Sequence, residues 1–363
     1  MYCSDLGEEW HAARIEPTIA HLDSASAGRT SRAGIETITS HLWREAERGS
    51  YVAAEEQAGA LEAGRRGLAS LIGHTADELS YRDSARTCLR ALLNNWNLPV
   101  ASTVWVATNE FGPNLDEFER RGLAVRTMPS ADVYGHVDVD ALENMLQFDQ
   151  PAFIHVCQIG SAGGVVQPVH EIVDVAHYAN VPVVVDMAQA VGQVPTVTGA
   201  DIVYGTSRKW LTGPRGVGFI AVRSDAIRPV QIDSSDAYVA GALGLGQAVS
   251  ELLDIGQQRV FRELAKIGQI TRERLYGIAS WEVLEPIEEP SALVTLAPPP
   301  GWQPSDVAAA QRRLQDIGIL VTCADSWRAP LATEQALLRI SPHLDVRRSQ
   351  LDDLAGAIRT MGY

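Results

Sequence analysis

Two side chains of opposite charge define the chemistry to look for. Asp186 closes the apolar run VPVVVD at 181–186, and Lys209 follows a second run, DIVYGT at 201–206, inside the loop TSRKWLTGPRGVG at 206–218. At the carboxyl ends of parallel strands, both residues are expected to face one ligand crevice. A primary amine there is a nucleophile toward carbonyl carbon and, when free, a base, with an acid close beside it. Gln189 follows Asp186 by three residues at the same strand end. Taken singly, a strand-end Asp more often caps a helix or forms a turn, and a Lys is more often a solvated surface charge. The pairing acquires weight only if the surrounding chain builds such a sheet.

The pattern from about residue 80 to 222 predicts one. Short apolar runs at 103–108, 123–129, 152–157, 181–186, 201–206 and 216–222 read as strands. Helix-periodic stretches at 114–122, 138–146 and 168–180 fall between them, the last opening on a Pro that a first turn tolerates. Strands alternating with crossover helices predict an α/β fold with a mostly parallel sheet. Upstream, 31–49 and 53–72 carry helical spacing rich in Ala, Glu and Arg. Downstream, 240–280 reads as one long helical stretch. Short strands in WEVLE, ALVTLAP, GILVTCA and LLRIS follow, with helices at about 304–317 and 346–361, the signature of a smaller α+β domain. Residues 80–96 read as a loop entering a helix whose amino end, with Ser84, Ala85 and Arg86, is either an ordinary N-cap or a phosphate cradle.

Composition narrows the function classes. The 363 residues exceed what one core usually covers, so two domains are expected. Thirty basic residues against 45 acidic ones leave a net charge of −15, which repels a phosphate backbone and argues against nucleic-acid partners. Cys3, Cys88, Cys157 and Cys323 form no CxxC pair, so neither a metal site nor a disulfide framework is expected, and a reducing cytoplasm fits best. The amino-terminal residues are acidic and lack a signal-peptide pattern, and no apolar run reaches spanning length, so no membrane association is expected.

These residues resemble the class V, aspartate-aminotransferase-fold enzymes that use pyridoxal 5'-phosphate. The resemblance rests on HLDSASAGRT (21–30), GSYVAAE (49–55), NEFGPNL (109–115), TSRKWLTGPRGVG, EPSALVTLAP (289–298) and LLRISPHLD (337–345). Within the family, the likeness is greatest to carbon–sulfur lyases acting on the sulfoxide of a cysteine S-conjugate. It implies a large fold type I domain over 20–240, with a mostly parallel mixed sheet between helices. A smaller α+β domain would comprise 1–19 and 241–363, joined by a long helix. A homodimer with active sites at the interface is implied as well. Lys209 would condense with the cofactor aldehyde and act as base, and Asp186 would pair with the pyridine nitrogen, both therefore catalytic. Gln189 would bond the ring oxygen, and Phe111 would stack on the ring. Gln158 would lie near the ring, and Ser84, Ala85, Arg86, Ser207 and Arg208 would grip the phosphate. Arg339 would clamp the substrate carboxylate, with Ser26 and Tyr134 also on the substrate side. His155 reads as a buried structural residue.

Two departures refine the activity. Relatives place a Thr near 232–246 that reaches the neighbouring subunit's phosphate, where this chain has Ser234, Ser235 and Asp236, leaving Ser235 as the candidate. Desulfurases need a Cys on a mobile loop, whereas Cys323 lies on an apolar run and reads as a buried structural Cys. β-Elimination is therefore favoured over desulfuration. The resemblance implies a lyase that releases the sulfur as a sulfenate, with pyruvate and ammonia. Desulfuration of cysteine, lysis of another S-conjugate, or a non-catalytic scaffold on the same fold stand as alternatives. A trimethylammonium on such a conjugate would suit an aromatic face, for which Trp43, Tyr51 and Tyr134 are candidates.

Overall fold

The structure is a computed structural model and describes residues 1–196, 198–223 and 238–361. In chain order its strands are β1 (Ala20–His21), β2 (Leu79–Arg82), β3 (Thr103–Val106), β4 (Ala124–Thr127), β5 (Phe153–Cys157), β6 (Val183–Asp186), β7 (Ile202–Thr206) and β8 (Gly218–Val222). They continue with β9 (Glu282–Val283), β10 (Val294–Ala297), β11 (Ile319–Leu320), β12 (Thr322–Ala324) and β13 (Leu337–Ile340). Seven of them form the central sheet in the order β2-β8-β7-β6-β5-β3-β4. The block from β4 to β7 is parallel, and β8 runs antiparallel to both β7 and β2.

Strands β5 to β7 are buried along their whole length, which explains their unbroken apolar sequence: helices cover both faces, so no residue alternates toward water. One face packs on Cys88, Leu89, Leu92 and Leu93 of the helix Ala85–Asn95. The other joins a larger core that includes Ile172 and Val173 of the helix Val169–Tyr178. Each such fully buried aliphatic side chain contributes roughly 1.5–3 kcal/mol. The register aligns Cys157 and Asp186, at the carboxyl ends of β5 and β6, with Tyr204 in the middle of β7.

Four further strands form an antiparallel sheet, β12-β13-β10-β9, with helices Pro304–Asp316 and Arg348–Met361 nearby. The amino-terminal segment joins this half of the chain: β1 pairs with β11, and Cys3 N–H donates to the Val346 carbonyl at 2.9 Å. Just beyond β1, Ser24 N–H and Ala25 N–H donate to the carbonyl and hydroxyl of Ser341, which brings Ser26 beside β13.

The structure departs from the sequence reading in five places, the first being that the helical stretch read at 53–72 is two helices, Ser50–Glu56 and Ala58–Leu71, meeting at Gln57. Leu79–Arg82, read as part of a loop, is an edge strand paired with β8. The stretch 240–280 is two helices, Val239–Ile255 and Gln257–Leu275, divided at Gly256, whose φ of 95° interrupts the helix. The run GILVTCA is split between β11 and β12, which belong to different sheets. Pro168 stands at the cap before Val169–Tyr178 instead of inside its first turn.

Candidate active site

A cavity of about 300 Å³ opens at the carboxyl ends of β5, β6 and β7, and Asp186, Gln189, Arg208 and Lys209 all line it. A larger open groove of about 750 Å³ lies elsewhere, and its charges already answer one another, as in Arg29–Asp345 and Arg347–Glu16. The smaller cavity, where an amine and a carboxylate converge, is the candidate site.

Lys209 is enclosed by protein, with its side chain reaching the cavity. Burial, followed by the positive charge of Arg208, lowers its amine to about 7; Asp186 opposes the shift, and Arg339 and then Arg328 add to it. The amine is thus substantially neutral at physiological pH, the state a nucleophile or base requires. Its backbone is held by Gly28: a Cβ there would lie 2.4 Å from the Lys209 carbonyl, and Gly28 N–H donates to the Arg208 carbonyl at 2.7 Å.

Asp186 accepts hydrogen bonds from Asn114 Nδ2 at 3.1 Å and from Ala188 N–H at 2.9 Å. Behind it runs a buried polar chain. Asn114 also donates to Glu110 Oε1 at 2.9 Å, Glu110 Oε2 meets His155 Nδ1 at 2.7 Å, and His155 Nε2 meets the Tyr204 hydroxyl at 2.8 Å. Burial alone would raise the Glu110 carboxyl, but the His155 ring, Asn114 and Cys157 together hold it below its ordinary value. Burial, reinforced by Asp186, drives the Tyr204 hydroxyl well above the usual range. His155 is fully buried and stands behind the cavity wall, as the structural reading expected.

The helix Ala85–Asn95 aims its amino end at the cavity, where Ser84, Ala85 and Arg86 form the lining. Ser84 is its N-cap, accepting from Thr87 N–H at 3.2 Å. The first-turn N–H groups of a helix have no intrahelical acceptors, so an anion would find donors here. Gly218 allows this approach, because a Cβ there would lie 2.4 Å from the Ser84 backbone. The Arg86 guanidinium is bound to Glu117 at 2.9 Å and lies 3.7 Å from Asp116, so its charge is already answered. Phe111 lines the cavity from the N-cap of the helix Gly112–Arg120, with its ring 5.8 Å from that of Trp327.

Other expected residues stand apart from the lining. The Ser207 hydroxyl donates to the Pro214 carbonyl, and Gln158 Nε2 donates to the Pro195 carbonyl at 2.8 Å. Arg339 is fully buried directly behind Ser26, donating to the Ser26 hydroxyl at 2.6 Å and the Ser161 carbonyl at 2.7 Å. Tyr134, Trp43 and Tyr51 are exposed and do not line the cavity. Ser234, Ser235 and Asp236 lie outside the described residues. Cys323 is half-buried where a buried residue was expected, and burial, then Asp325, pushes its thiol up to about 11.

The sequence reading missed half of the lining, including the polar residues Asn114, Ser161, Arg215 and Arg328. Asn114 had a signal: it falls three residues after Phe111, on the same face of a helix. Arg328 had none, since a short turn at Ser326–Arg328 is placed by tertiary contacts alone.

The model of the aminotransferase class-V family matches residues 20–354. A probable hercynylcysteine sulfoxide lyase of Mycobacterium tuberculosis is 37% identical, over 97% of this chain and 93% of the relative. Among solved structures, a cysteine desulfurase of Escherichia coli superposes with a TM-score of 0.83 at 18% identity, covering 98% of both chains. A cystine C–S lyase in complex with cysteine persulfide gives 0.84 at 16% identity, covering 95% of this chain and 98% of the other. At those identities the likeness speaks for the fold alone.

Proposed function

Because this chain belongs to the aminotransferase class-V family, whose enzymes work with pyridoxal phosphate, we propose that it is a C–S lyase that eliminates sulfur from hercynylcysteine sulfoxide. The general activity, a pyridoxal-phosphate-dependent carbon–sulfur lyase, follows from the family and its relatives. The substrate is the finer step, supported by the 37% identity to a probable lyase of that name.

The cavity suits the cofactor by its donor set. A reachable, near-neutral amine and a carboxylate line the same cavity, the helix amino end at Ser84 offers free N–H groups for a phosphate, and Arg208, whose guanidinium donates to the Ser26 carbonyl, adds positive charge to the lining. Bound there, the cofactor would take up the electron pair left at the substrate Cα when its proton departs. Asp186, oriented by Asn114 and the Ala188 N–H, would hold a proton on the ring nitrogen. Lys209 Nζ would anchor the cofactor and then carry the Cα proton. Gln189 can give little more to a ligand, since its amide already bonds Trp210 Nε1 at 3.0 Å and the Ala25 carbonyl at 3.1 Å. Gln189 would line the cofactor pocket, as Phe111 would. Ser207 and Gln158 would support the site from behind. Arg339, acting beside Ser26, is our candidate for the substrate carboxylate.

The balance of the reaction is simple. The conjugate sulfoxide plus water gives a sulfenic acid, pyruvate and ammonium, without net oxidation or reduction. Two equivalents of an external thiol then reduce the sulfenic acid to ergothioneine, releasing a disulfide and water.

The state of the thiols carries the choice of elimination over desulfuration. Cys157 is the cysteine that lines the cavity among the described residues, and its thiol donates to Glu110 Oε1 at 3.2 Å and is driven well above its usual range by burial. Neither it nor Cys323 is fit to attack as a thiolate. The test is product analysis of the cofactor-loaded enzyme given L-cysteine and the conjugate sulfoxide in parallel. Pyruvate from the sulfoxide supports elimination, whereas alanine and persulfide from cysteine would overturn it. We further propose a two-domain division at about residue 240, a homodimer, and a cytoplasmic location, consistent with four free cysteines.

A further inference from the structure

Two guanidinium groups stand at the end of the cavity lined by Ser26 and Ser161, and of the two Arg328 lines it while Arg339 lies behind. Arg339 is fully buried, and its charge is answered by Asp23 at 3.3 Å, with the Ser26 hydroxyl and the Ser161 carbonyl taking further protons. Arg328 lines the cavity from the turn Ser326–Arg328, lies 4.6 Å from the Trp327 ring centroid, and reaches the Ser161 hydroxyl only at 3.4 Å. Its Nε, like that of Arg339, is buried without a hydrogen-bond partner, and the nearby carboxylates of Asp23 and Asp325 lie beyond ion-pair distance of Arg328. It is a permanently charged group at the cavity wall with unused donors, and burying such a group without a partner is costly unless a ligand supplies one.

The chemistry proposed above presents two oxygen anions to this end, the α-carboxylate and the oxygen on the departing sulfur. With Arg339, behind Ser26, assigned above to the α-carboxylate, Arg328 on the cavity wall beside Ser161 is the guanidinium left for the oxygen on sulfur. We propose that Arg328 binds the sulfoxide oxygen and stabilises it as charge develops there, selecting conjugates whose sulfur carries an oxygen. The inference rests on the lyase reading of the same site.

As the Cβ–S bond breaks, its electron pair leaves with the sulfur, and the group departs as a sulfenate with its charge largely on oxygen. The Cα proton has gone to Lys209 Nζ. Arg328 transfers no proton, because a guanidinium keeps its charge; it pairs with the oxyanion, which takes its proton from water after release. A donor aimed where charge develops is worth roughly a hundredfold to a thousandfold in rate.

The test uses the cofactor-loaded enzyme, wild type and Arg328→Gln, with three substrates: S-methyl-L-cysteine sulfoxide, the matching thioether, and β-chloro-L-alanine. Each has the α-carboxylate, but the sulfoxide alone has the oxygen. We expect kcat for the sulfoxide to fall about a hundredfold, with kcat for β-chloroalanine unchanged and Arg328→Lys recovering part of the loss. Unchanged kcat on the sulfoxide overturns the inference. An equal loss on all three substrates also overturns it and reassigns Arg328 to the carboxylate, provided the thermal midpoint and the absorbance of the bound cofactor match wild type. Because β-chloroalanine needs no sulfur chemistry, wild-type enzyme that releases pyruvate from it but from neither sulfur compound nor hercynylcysteine sulfoxide overturns the lyase reading itself. Cleavage of the methyl sulfoxide but not of hercynylcysteine sulfoxide would remove the named substrate and leave the role of Arg328 standing.

Discussion

Lys209 shows how one residue's surroundings set its chemistry. A lysine whose amine falls from 10.5 to about 7 on folding binds its proton less readily in the native state than when unfolded. Between those values the unfolded chain carries the extra proton, so the stability of the cofactor-free protein gains from this group as pH rises from about 7 toward 10.5, by up to roughly 1.4 kcal/mol per pH unit. Lys209→Met should remove that slope and stabilise the cofactor-free protein at neutral pH; denaturant midpoints of both proteins at pH 7 and pH 9 measure it. A variant with the same slope as wild type would mean the amine is not depressed. Cys323 gives the complementary case. With its thiol near 11 it carries little thiolate, so Cys323→Ser should leave pyruvate release within about twofold of wild type. A collapse of turnover in that variant would instead reveal a sulfur-accepting role.

At the scale of elements, the site depends on close approaches that the strands and helices permit. A Cβ on Gly112 would lie 2.0 Å from the Trp327 carbonyl, so this glycine lets the turn bearing Arg328 dock on the helix beside Phe111. Gly112→Ala should push that turn away, costing about 1–3 kcal/mol of stability and weakening turnover more than cofactor retention, as unfolding curves and steady-state kinetics would register. Between β5 and the start of the helix Gly112–Arg120, the pair Glu110–His155 is wholly buried. Replacing His155 by Leu leaves an unanswered carboxylate and should cost about 3–5 kcal/mol, whereas changing both residues to apolar ones should cost less than the single change. The strands of the central sheet were legible because each is an apolar run of the right length bounded by turn residues. β2 was not, because an edge strand of four residues with half-buried Ser80 and Arg82 has little apolar signal. Asp186, Gln189, Lys209 and the helix start at Ser84 were legible because strand ends and helix starts mark ligand crevices. The outward placement of Gln158, the enclosure of Arg339 behind Ser26 and the arrival of Arg328 were not, since each depends on which neighbour a long side chain meets across the fold.

At the scale of the whole molecule, the helices Arg32–Arg48 and Ser50–Glu56 expose Leu42, Trp43, Tyr51 and Val52, with Trp43 at 77% and Tyr51 at 93%. We take these exposed groups as the contact surface of the proposed homodimer. Trp43→Glu should shift sedimentation equilibrium toward monomer without altering the far-ultraviolet spectrum; an unchanged association constant would place the interface elsewhere. No helix among the described residues is long and apolar enough to cross a membrane, and the charge of −15 disfavours polyanionic partners.

The measurement that bears most directly on function is a reaction of the cofactor-loaded enzyme with synthetic hercynylcysteine sulfoxide in excess dithiothreitol, following pyruvate and ergothioneine by mass spectrometry. The expected result is equimolar formation of the two, lost in Lys209→Ala. Pyruvate without ergothioneine, formation of either product by Lys209→Ala at the wild-type rate, or alanine in place of pyruvate would contradict the lyase reading.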